Sequence, residues 1–407
     1  MSTFTDQNGK TTSSRVAVVA AGLISPLGSG LNDNREALAE AKDCVTEVER
    51  FRVDHCRCKT AGQVPEKYLP AVNGRSRDRI HRASRMMIGA LDQALAQDRQ
   101  FKPEVAVIGT TSGGMSFGED YYRALHRHGD LRPSPAWIAN YPPQKPVIEA
   151  LQKFQLDIAS QVIANACASG TNAIGHAFEC IRSGRYERVL TGGYDAISEL
   201  VFVGFDSLQA STPEKCRPFD RQRTGMVLGE GAAILALENL ERARARGANV
   251  LAEITGYGIS TDNHHLTQPN PSGVGPRAAM SQALRSANIE PAAVDYINAH
   301  GTATIFNDAA EGKAIAELFG RKVPVSSTKS MMGHSLGAAG AIEAVFCILA
   351  LQQQLLPPNI HHRSSDEDVD LNIVANAARS AKIDIALSNS FGFGGTNASI
   401  VIERYRE

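Results

Sequence analysis

One cysteine stands where a predicted buried strand gives way to a helix of small residues. The run ANACASG covers residues 164–170, with Cys167 at its centre. A thiol at the start of a helix lies near unpaired backbone N–H groups and the positive end of the helix dipole. Both favour the thiolate, which is the reactive form of cysteine. On this pattern alone Cys167 has two interpretations, a catalytic nucleophile or a buried inert thiol.

Two histidines occupy comparable glycine-flanked elbows further along the chain. His300 ends a predicted strand and opens the run HGTAT, and His334 lies in the run GHSLGAAG at the start of a predicted helix. Lys329 precedes His334 by five residues and Glu343 follows it by nine. A Lys–Glu pair could orient the second imidazole. A lone histidine is most often structural, but this constellation favours catalysis.

A glycine-rich loop, NSFGFGGTN, covers residues 389–397. It lacks the Gly-Lys-Ser/Thr ending of a phosphate-binding loop, and a strand pattern rather than a helix follows it. Phe391 and Phe393 among the glycines therefore predict a mobile hydrophobic gate beside an apolar pocket.

Composition excludes several classes of protein. The 407 residues include 42 Lys+Arg and 43 Asp+Glu, a net charge of −1, which argues against a whole-chain nucleic-acid binder and against an acidic disordered chain. The seven cysteines are odd in number and irregularly spaced, which favours reduced thiols in the cytoplasm. Cys56 and Cys58 form a C-x-C that lacks the second pair of a zinc site, so we expect no metal. No uncharged run is long and apolar enough to span a membrane.

Strands and helices alternate along the chain, which is typical of α/β layers around buried sheets. The predicted strands are 16–22, 105–109, 160–165, 187–192, 231–238, 251–257, 294–298, 323–326, 383–389 and 397–402. The predicted helices are 33–42, 77–97, 145–154, 169–183, 239–247, 275–287, 308–319 and 335–353. The order of strands, elbows and small-residue helices restarts near residue 250, and each part closes with a hairpin-like pair of strands. We predict a disordered tail over 1–14 and two duplicated halves, 15–249 and 250–407.

Taken in order, these motifs resemble those of the β-ketoacyl-[acyl carrier protein] synthases, the condensing enzymes of fatty-acid and polyketide elongation. The resemblance runs from about Arg15 to Glu403. It includes the stretches CRPFDRQRTGMVLGEGAAILALENLERARARGA, HGTATIFNDAAEGKAI, STKSMMGHSLGAAGAIEA and LSNSFGFGGTNASIVIE. It implies a thiolase-like α/β fold, in which two duplicated halves form a five-layer αβαβα sandwich around one active site. It also implies a homodimer.

The resemblance implies a role for each motif residue. Those residues are the nucleophile Cys167; the catalytic His300, His334 and Lys329, with Glu343 as structural partner; the gate residues Phe391 and Phe393; the acidic Asp308 and Glu311; and the substrate contacts Thr302, Thr304, Ser112, Met226 and Asn397. The N–H groups of Cys167 and Phe393 would hold the oxyanion. No metal or redox cofactor is implied, because the substrates are carried on the phosphopantetheine of an acyl carrier protein.

Two departures from the family pattern bear on the acyl pocket. Met226 replaces a common phenylalanine, and Ser112 stands where members often carry a residue such as isoleucine. A small side chain at Ser112 predicts room for a longer or bulkier acyl group.

A basic stripe stands out in this nearly neutral chain. Its members crowd eleven positions and are Arg75, Arg77, Arg79, Arg82 and Arg85. A charge run is usually a solvated helix face. In the family context the stripe instead predicts a docking patch for an acidic carrier protein.

Neighbouring classes stay open at this point. A thiolase-type acyl-CoA enzyme typically has a second cysteine where this chain has His334, and a non-catalytic chain-length factor lacks the nucleophile that Cys167 supplies. A ketosynthase subunit that pairs with such a factor in a polyketide system is a further alternative. We also expect His265 to lie near the pocket, and His361, His362 and the acidic run 366–370 to lie on the surface.

Overall fold

The first half of the chain supplies eight helices and nine strands in the described residues. The computed structural model describes residues 14–71, 80–127, 135–366 and 369–407, so most of the predicted tail lies outside it. In chain order the first half contains β1 (Val16–Ser25), β2 (Gly28–Ser29), α1 (Leu31–Ala39), β3 (Thr46–Glu47), β4 (Thr60–Gly62), α2 (Arg82–Gln97), β5 (Val105–Gly109), α3 (Met115–Arg127), α4 (Pro135–Ala139), α5 (Lys145–Lys153), β6 (Ala159–Ile163), α6 (Ser169–Arg182), β7 (Arg188–Asp195), α7 (Glu199–Ser207), β8 (Leu228–Gly229), β9 (Gly231–Asn239) and α8 (Leu240–Ala245).

The second half begins at the long strand that follows α8. It contains β10 (Ala252–Thr261), α9 (Val274–Ala287), β11 (Tyr296–Asn298), α10 (Ile305–Phe319), β12 (Pro324–Ser326), α11 (Lys329–Met332), α12 (Ala339–Gln353), β13 (Leu355–Leu356), β14 (Asn372–Ile373), β15 (Arg379–Ser380), β16 (Ile385–Gly392) and β17 (Thr396–Glu403).

The two halves repeat one strand order. Neighbouring strands run β6-β5-β7-β9-β1 in the first half and β12-β11-β16-β17-β10 in the second. If the five strands of each half are numbered in chain order, both sets have the same spatial order, 3-2-4-5-1. The parallel pairs β5–β6 and β5–β7 correspond to β11–β12 and β11–β16, and the remaining pairs in each set are antiparallel. The predicted internal duplication is therefore confirmed.

Helices separate and cover the two sets of strands in five layers. Helices α6 and α12 lie between them, α2 and α5 cover the outer face of the first set, and α9 and α10 cover the outer face of the second. Pairing of β1 with β10, from Val16 opposite Ile254 to Val18 opposite Ala252, joins the sets along one edge. The predicted αβαβα architecture is confirmed.

The central helix α12 is apolar on all sides because it is packed on all sides. Every residue from Ala339 to Leu351 is buried. The segment Leu336–Gln353 is long and apolar enough to cross a membrane, but 89% of it is buried inside the protein. It is therefore the core helix of this fold.

Several local predictions differ from the structure. Helices α3, α4 and α7 were not predicted. The α7 sequence, ELVFVGFDS, is rich in aromatic and β-branched residues that favour a strand locally, and tertiary contacts override this preference. The predicted closing hairpin exists in the second half as β16–β17. In the first half β7 and β9 pair, but residues 196–230 separate them in the chain.

Glycines bring the two halves into direct backbone contact beside α6. A Cβ atom on Gly170 would lie 2.7 Å from the carbonyl oxygen of Gly337 and 2.9 Å from the amide nitrogen of Ala341. A Cβ on Gly193 would lie 2.9 Å from the same Gly337 oxygen. The junction of the halves therefore has no room for even one methyl group.

We expect Gly170→Ala to lower the free energy of unfolding by about 1–3 kcal/mol, because overpacking costs roughly that much. Urea unfolding measures the loss. Gly204→Ala in α7 is the matched control, since no heavy atom lies within 4 Å of its Cβ position. It should leave stability unchanged or raise it by up to about 1 kcal/mol. Equal unfolding free energies for the two variants would contradict a tight junction.

Candidate active site

Cys167 lies in a sharp turn between β6 and α6. The preceding Ala166 has a φ of +57°, a left-handed conformation that is uncommon for alanine. The Ser169 hydroxyl holds the turn, because it donates to the carbonyl oxygen of Ala166 at 2.6 Å and accepts from the N–H of Asn165 at 2.9 Å. The thiol is buried, with 6% of the residue exposed.

Backbone hydrogen bonds fix both histidines. The N–H groups of His300 and Gly301 donate to the two carboxylate oxygens of Glu311 at 2.8 Å each. The N–H of His334 donates to the carbonyl oxygen of Val227 at 2.7 Å, and the N–H of Gly229 donates to the carbonyl oxygen of His334 at 2.7 Å. The two main-chain segments are anchored without use of the imidazole rings.

The three predicted reactive side chains converge. The thiol and imidazole atoms of Cys167, His300 and His334 lie within 4.8 Å of one another. The two rings meet edge to face, with centroids 5.2 Å apart and an angle of 85° between their planes. Within the described residues, Nδ1 of His300 and both ring nitrogens of His334 are buried without a hydrogen-bond partner. Buried polar atoms normally have partners, so these nitrogens are available to a substrate.

Burial sets the charge state of the thiol. It raises the pKa of Cys167 to about 12, and the negative charge of Asp195 acts in the same direction. The charge of Lys329 and the N–H groups of Phe393 and Cys167 oppose the rise in pKa but do not cancel it. Desolvation therefore opposes the stabilisation of the thiolate expected at a helix start.

Burial shifts the pKa of the two histidines in the opposite direction, downwards. Desolvation, followed by the positive charge of Lys329, lowers the pKa of His300 and of His334 well below the usual range. Both imidazoles are therefore neutral at physiological pH, and each has one N–H to donate and one nitrogen to accept a proton.

Lys329 and Glu343 form an ion pair in which both side chains are fully buried. Burial raises the pKa of Glu343 to about 7, against the opposing effect of Lys329. In the described part of the chain no hydrogen bond joins this pair to either imidazole ring. The pair therefore does not orient His334 through a hydrogen bond, as the sequence predicted. It acts electrostatically instead, because the charge of Lys329 disfavours protonation of both imidazole rings.

A cavity of about 160 Å³ opens onto the three reactive groups. The predicted site residues that line it are Cys167, Met226, His300, Thr302, Thr304, His334, Phe391, Phe393 and Asn397. Phe393, predicted to act as a gate, stacks on Phe205, with ring centroids 5.5 Å apart. The amide of Asn397 donates to Asp262 at 2.7 Å, so this residue also holds the loop.

Part of the cavity wall comes from residues that the sequence motifs did not indicate. Phe205 and Leu208 come from α7 and the residue after it, a helix that was not predicted. Ile305 and Phe306 directly follow the motif HGTAT, and they are 59% and 55% exposed at the cavity. Two large apolar residues directly after the motif HGTAT, at the start of α10, were the sequence signal that could have identified Ile305 and Phe306.

Ser112 does not line this cavity. Its hydroxyl donates to Asp195 at 2.8 Å, and the residue is buried. The prediction that Ser112 enlarges the acyl pocket therefore has no support in this cavity.

The basic stripe is only partly described. Arg75, Arg77 and Arg79 lie outside the described residues. Arg82 is buried, and its guanidinium donates to Glu230 at 2.6 Å and also binds Glu66. Arg85 donates to Glu66 at 2.5 Å. Arg82 and Arg85 therefore stabilise the fold, which corrects their assignment to a docking patch.

Two other surface predictions are corrected. The His362 side chain is 8% exposed and lies 3.7 Å from a carboxylate oxygen of Asp220. Asp366, in the acidic run, forms an ion pair with the buried Arg223.

The acidic motif residues Asp308 and Glu311 accept hydrogen bonds from main-chain N–H groups and so shape the loops around His300.

Comparison with known proteins agrees with this geometry. Residues 13–243 match the model of the β-ketoacyl synthase N-terminal domain, and residues 251–363 match that of the C-terminal domain. The chain belongs to the β-ketoacyl synthase family. It is therefore an acyltransferase of the decarboxylating, condensing class.

Relatives and solved structures cover nearly the whole chain. The 3-oxoacyl-[acyl-carrier-protein] synthase 2 of Coxiella burnetii is 39% identical over 96% of this chain and 98% of its own length. The ishigamide ketosynthase/chain length factor is 32% identical with a TM-score of 0.91, over 97% of this chain and 100% of that one. The type II polyketide ketosynthase AntDE, solved with its acyl carrier protein AntF, is 28% identical with a TM-score of 0.89, over the same shares.

We expect alkylation of Cys167 by iodoacetamide to accelerate about tenfold per pH unit between roughly pH 7 and pH 10. A raised thiol pKa makes the thiolate a minor form throughout that range, so its fraction grows steadily with pH. Peptide mapping after timed alkylation measures the rate, and Cys167→Ser gives the background. A plateau below about pH 8.5 would contradict control of this thiol by burial.

Proposed function

We propose that the protein is a β-ketoacyl-[acyl carrier protein] synthase that condenses malonyl-[acyl carrier protein] with an acyl group held on Cys167. The observation that carries this proposal is the buried trio of one thiol and two neutral, unpartnered imidazoles at an apolar cavity. The family match and the named relative support it.

Acylation of Cys167 is the first step. The thiol attacks the carrier thioester, a C–S bond forms to Cys167, and the bond to the carrier sulfur breaks. A neutral imidazole nearby accepts the thiol proton, which then leaves with the carrier thiol. Burial lowers the pKa of both histidines, so they are unprotonated at the start and each has a nitrogen that can accept the proton.

Decarboxylation of malonyl carrier follows in the same cavity. Loss of carbon dioxide leaves an enolate, whose negative oxygen needs hydrogen-bond donors. His300 and His334 present ring nitrogens there without competing partners. A preorganised N–H in a dry site stabilises such a charge as it forms.

Condensation completes the cycle. The enolate carbon attacks the acyl thioester on Cys167, and the C–S bond breaks to release β-ketoacyl carrier. The N–H groups of Phe393 and Cys167 lie near the thiol and oppose the rise in its pKa. They are therefore placed to hold the oxyanion that develops on the adjacent carbonyl. A proton restores the thiol, and no metal or redox cofactor takes part.

Cys167→Ala should abolish condensation while malonyl decarboxylation remains measurable, because the histidines are intact. Product analysis with acyl carrier and release of labelled carbon dioxide from malonyl carrier measure the two activities. His334→Ala is the matched variant and should lose decarboxylation by about 10²-fold or more. Condensation by Cys167→Ala would refute the assignment of the nucleophile.

An acyl carrier protein is the proposed partner, as in the solved ketosynthase complex with its carrier. Carrier proteins of this kind are acidic, so positive side chains accelerate and orient docking. Because Arg82 and Arg85 pair with carboxylates of this chain, we assign carrier docking to the other three arginines of the stripe, Arg75, Arg77 and Arg79.

Charge reversal tests this docking role. We expect Arg77→Glu/Arg79→Glu to raise the KM for carrier-linked substrates about tenfold and to leave free acyl-CoA analogues nearly unaffected. Arg321→Glu is the control, since Arg321 is exposed and pairs only with Asp370 in the described residues. Steady-state kinetics with both substrate forms measures the effect, and an unchanged carrier KM would refute the patch.

Self-association through the edge of the sheet is the proposed assembly. Strand β6 is at the end of its sheet, paired only with β5, and Ala159, Ser160 and Gln161 are exposed. An open edge strand presents unpaired N–H and C=O groups to a second strand. A heterodimer with a chain-length factor is the alternative, since the structural relative with a TM-score of 0.91 is a ketosynthase/chain length factor.

Analytical ultracentrifugation distinguishes these assemblies. We expect the purified chain alone to sediment as a dimer, and Ser160→Lys/Gln161→Lys to sediment as a monomer because edge lysines block strand pairing. Ala292→Lys, at an exposed position outside the sheet, should remain dimeric. A monomeric wild-type chain would refute the homodimer and favour a heterodimeric polyketide system.

The remaining assignments follow the family. We place the enzyme in the cytoplasm, with no nucleic-acid or membrane partner. Primary fatty-acid elongation is the favoured pathway, supported by the named 3-oxoacyl synthase relative.

A further inference from the structure

A buried carboxylate at the end of β7 has no part in the reaction steps above. Asp195 is fully buried, and no ion pair in the described residues includes it. A buried charge without a cation must be stabilised by hydrogen bonds. It accepts six, from the hydroxyl of Thr110 (2.8 Å), the N–H of Thr111 (2.8 Å), the N–H and hydroxyl of Ser112 (2.8 Å each), the N–H of Gly113 (3.2 Å) and the N–H of Gly337 (2.7 Å).

These donors come from both halves of the molecule. Five belong to the loop after β5 in the first half. The sixth is Gly337, three residues after His334, in the turn that leads into α12. One oxygen of Asp195, Oδ2, accepts both the N–H of Thr111 and that of Gly337. A single atom therefore joins the two halves.

The same loop also contacts the nucleophile turn. The hydroxyl of Thr111 donates to the carbonyl oxygen of Ala166 at 3.1 Å, directly before Cys167. Asp195 thus connects to the cysteine turn through Thr111 and to the histidine turn through Gly337.

The turn that contains Gly337 packs tightly against the loop after β5 and against Asp195. A Cβ atom on Gly337 would lie 2.6 Å from the backbone of Thr110 and Thr111 and 2.7 Å from Asp195. The neighbouring Leu336 has a φ of +54°, a strained conformation that its surroundings must hold in place.

We propose that Asp195 is a positioning residue that clamps the Cys167 turn to the His334 turn and so sets the distance between nucleophile and histidine. This inference rests on the proposed condensation. It assigns no contact between Asp195 and substrate, and it predicts an effect on the chemical step rather than on substrate binding.

Asp195→Asn tests the clamp. An amide offers one acceptor oxygen in place of two. Because Oδ1 accepts four of the six bonds, the amide oxygen takes that place, and the NH2 group that replaces Oδ2 cannot accept from Thr111 or Gly337. We expect kcat for condensation to fall at least about tenfold, since small misplacement of reacting groups is costly, with KM for malonyl carrier within about twofold because the cavity mouth is untouched. Thr191→Val is the control on the same strand, because its buried hydroxyl has no partner in the described residues. It should keep the wild-type kcat.

Thr111→Val separates positioning from general stability. It leaves the N–H bond to Asp195 and removes only the bond to Ala166. We expect slower acylation of Cys167, by about threefold, with malonyl decarboxylation unchanged. Asp195→Asn should slow both half-reactions. Equal kcat for folded Asp195→Asn and Thr191→Val would overturn the proposal, as would a loss confined to KM.

Two outcomes need a second measurement. If thermal unfolding shows that Asp195→Asn does not fold, Thr110→Val is the milder variant, because it removes one donor to Asp195 and one acceptor for the N–H of Gly113. An unchanged kcat in that variant would overturn the clamp. If wild-type protein condenses no acyl carrier, the proposed function fails, but alkylation still reports on the clamp. The alkylation rate of Cys167 in Asp195→Asn should then differ at least about threefold from that in Thr191→Val at pH 8, because the turn that carries the thiol is no longer held; equal rates would overturn the proposal.

Discussion

Loss of hydration governs the charge of every reactive group in this site. The same burial keeps Cys167 protonated and both histidines unprotonated, so the three reactive groups are neutral at rest. The charges that act on them are those of Asp195 and of the buried Lys329–Glu343 pair. A neutral site suits this chemistry, because the charges to be stabilised appear only during the reaction. The lysine supplies a fixed positive potential that favours developing anions without protonating the imidazoles.

The duplicated architecture makes that dry site possible. Cys167 belongs to the first half and both histidines to the second, so the reactive groups meet only where the halves pack together. Glycines permit backbone contact at that junction, and Gly170 and Gly337 lie on its two sides. Helix α12, buried on all sides, fills the space between the sheets. The site therefore depends on tight closure between two similar units.

Motifs and periodicity were sufficient to predict the duplication and the identity of the converging residues. Cys167 and His300 each lie in a glycine- or alanine-rich turn after a strand, and His334 lies in such a turn before α12. Turns of this kind at the ends of strands face the same edge of α/β layers. Local sequence could not predict the sign of the thiol pKa shift, since desolvation depends on the complete surroundings. Ser112 and Arg82 were misassigned for a related reason: their partners, Asp195 and Glu230, are distant in sequence. Phe205 was missed because α7 has the local composition of a strand.

Mass spectrometry of the intact protein tests the central claim most directly. Incubation with an acyl carrier should add one acyl group, mapped to Cys167, and subsequent addition of malonyl carrier should remove it with formation of β-ketoacyl carrier. Acylation at another residue, or an acyl-enzyme that malonyl carrier cannot discharge, would contradict the account.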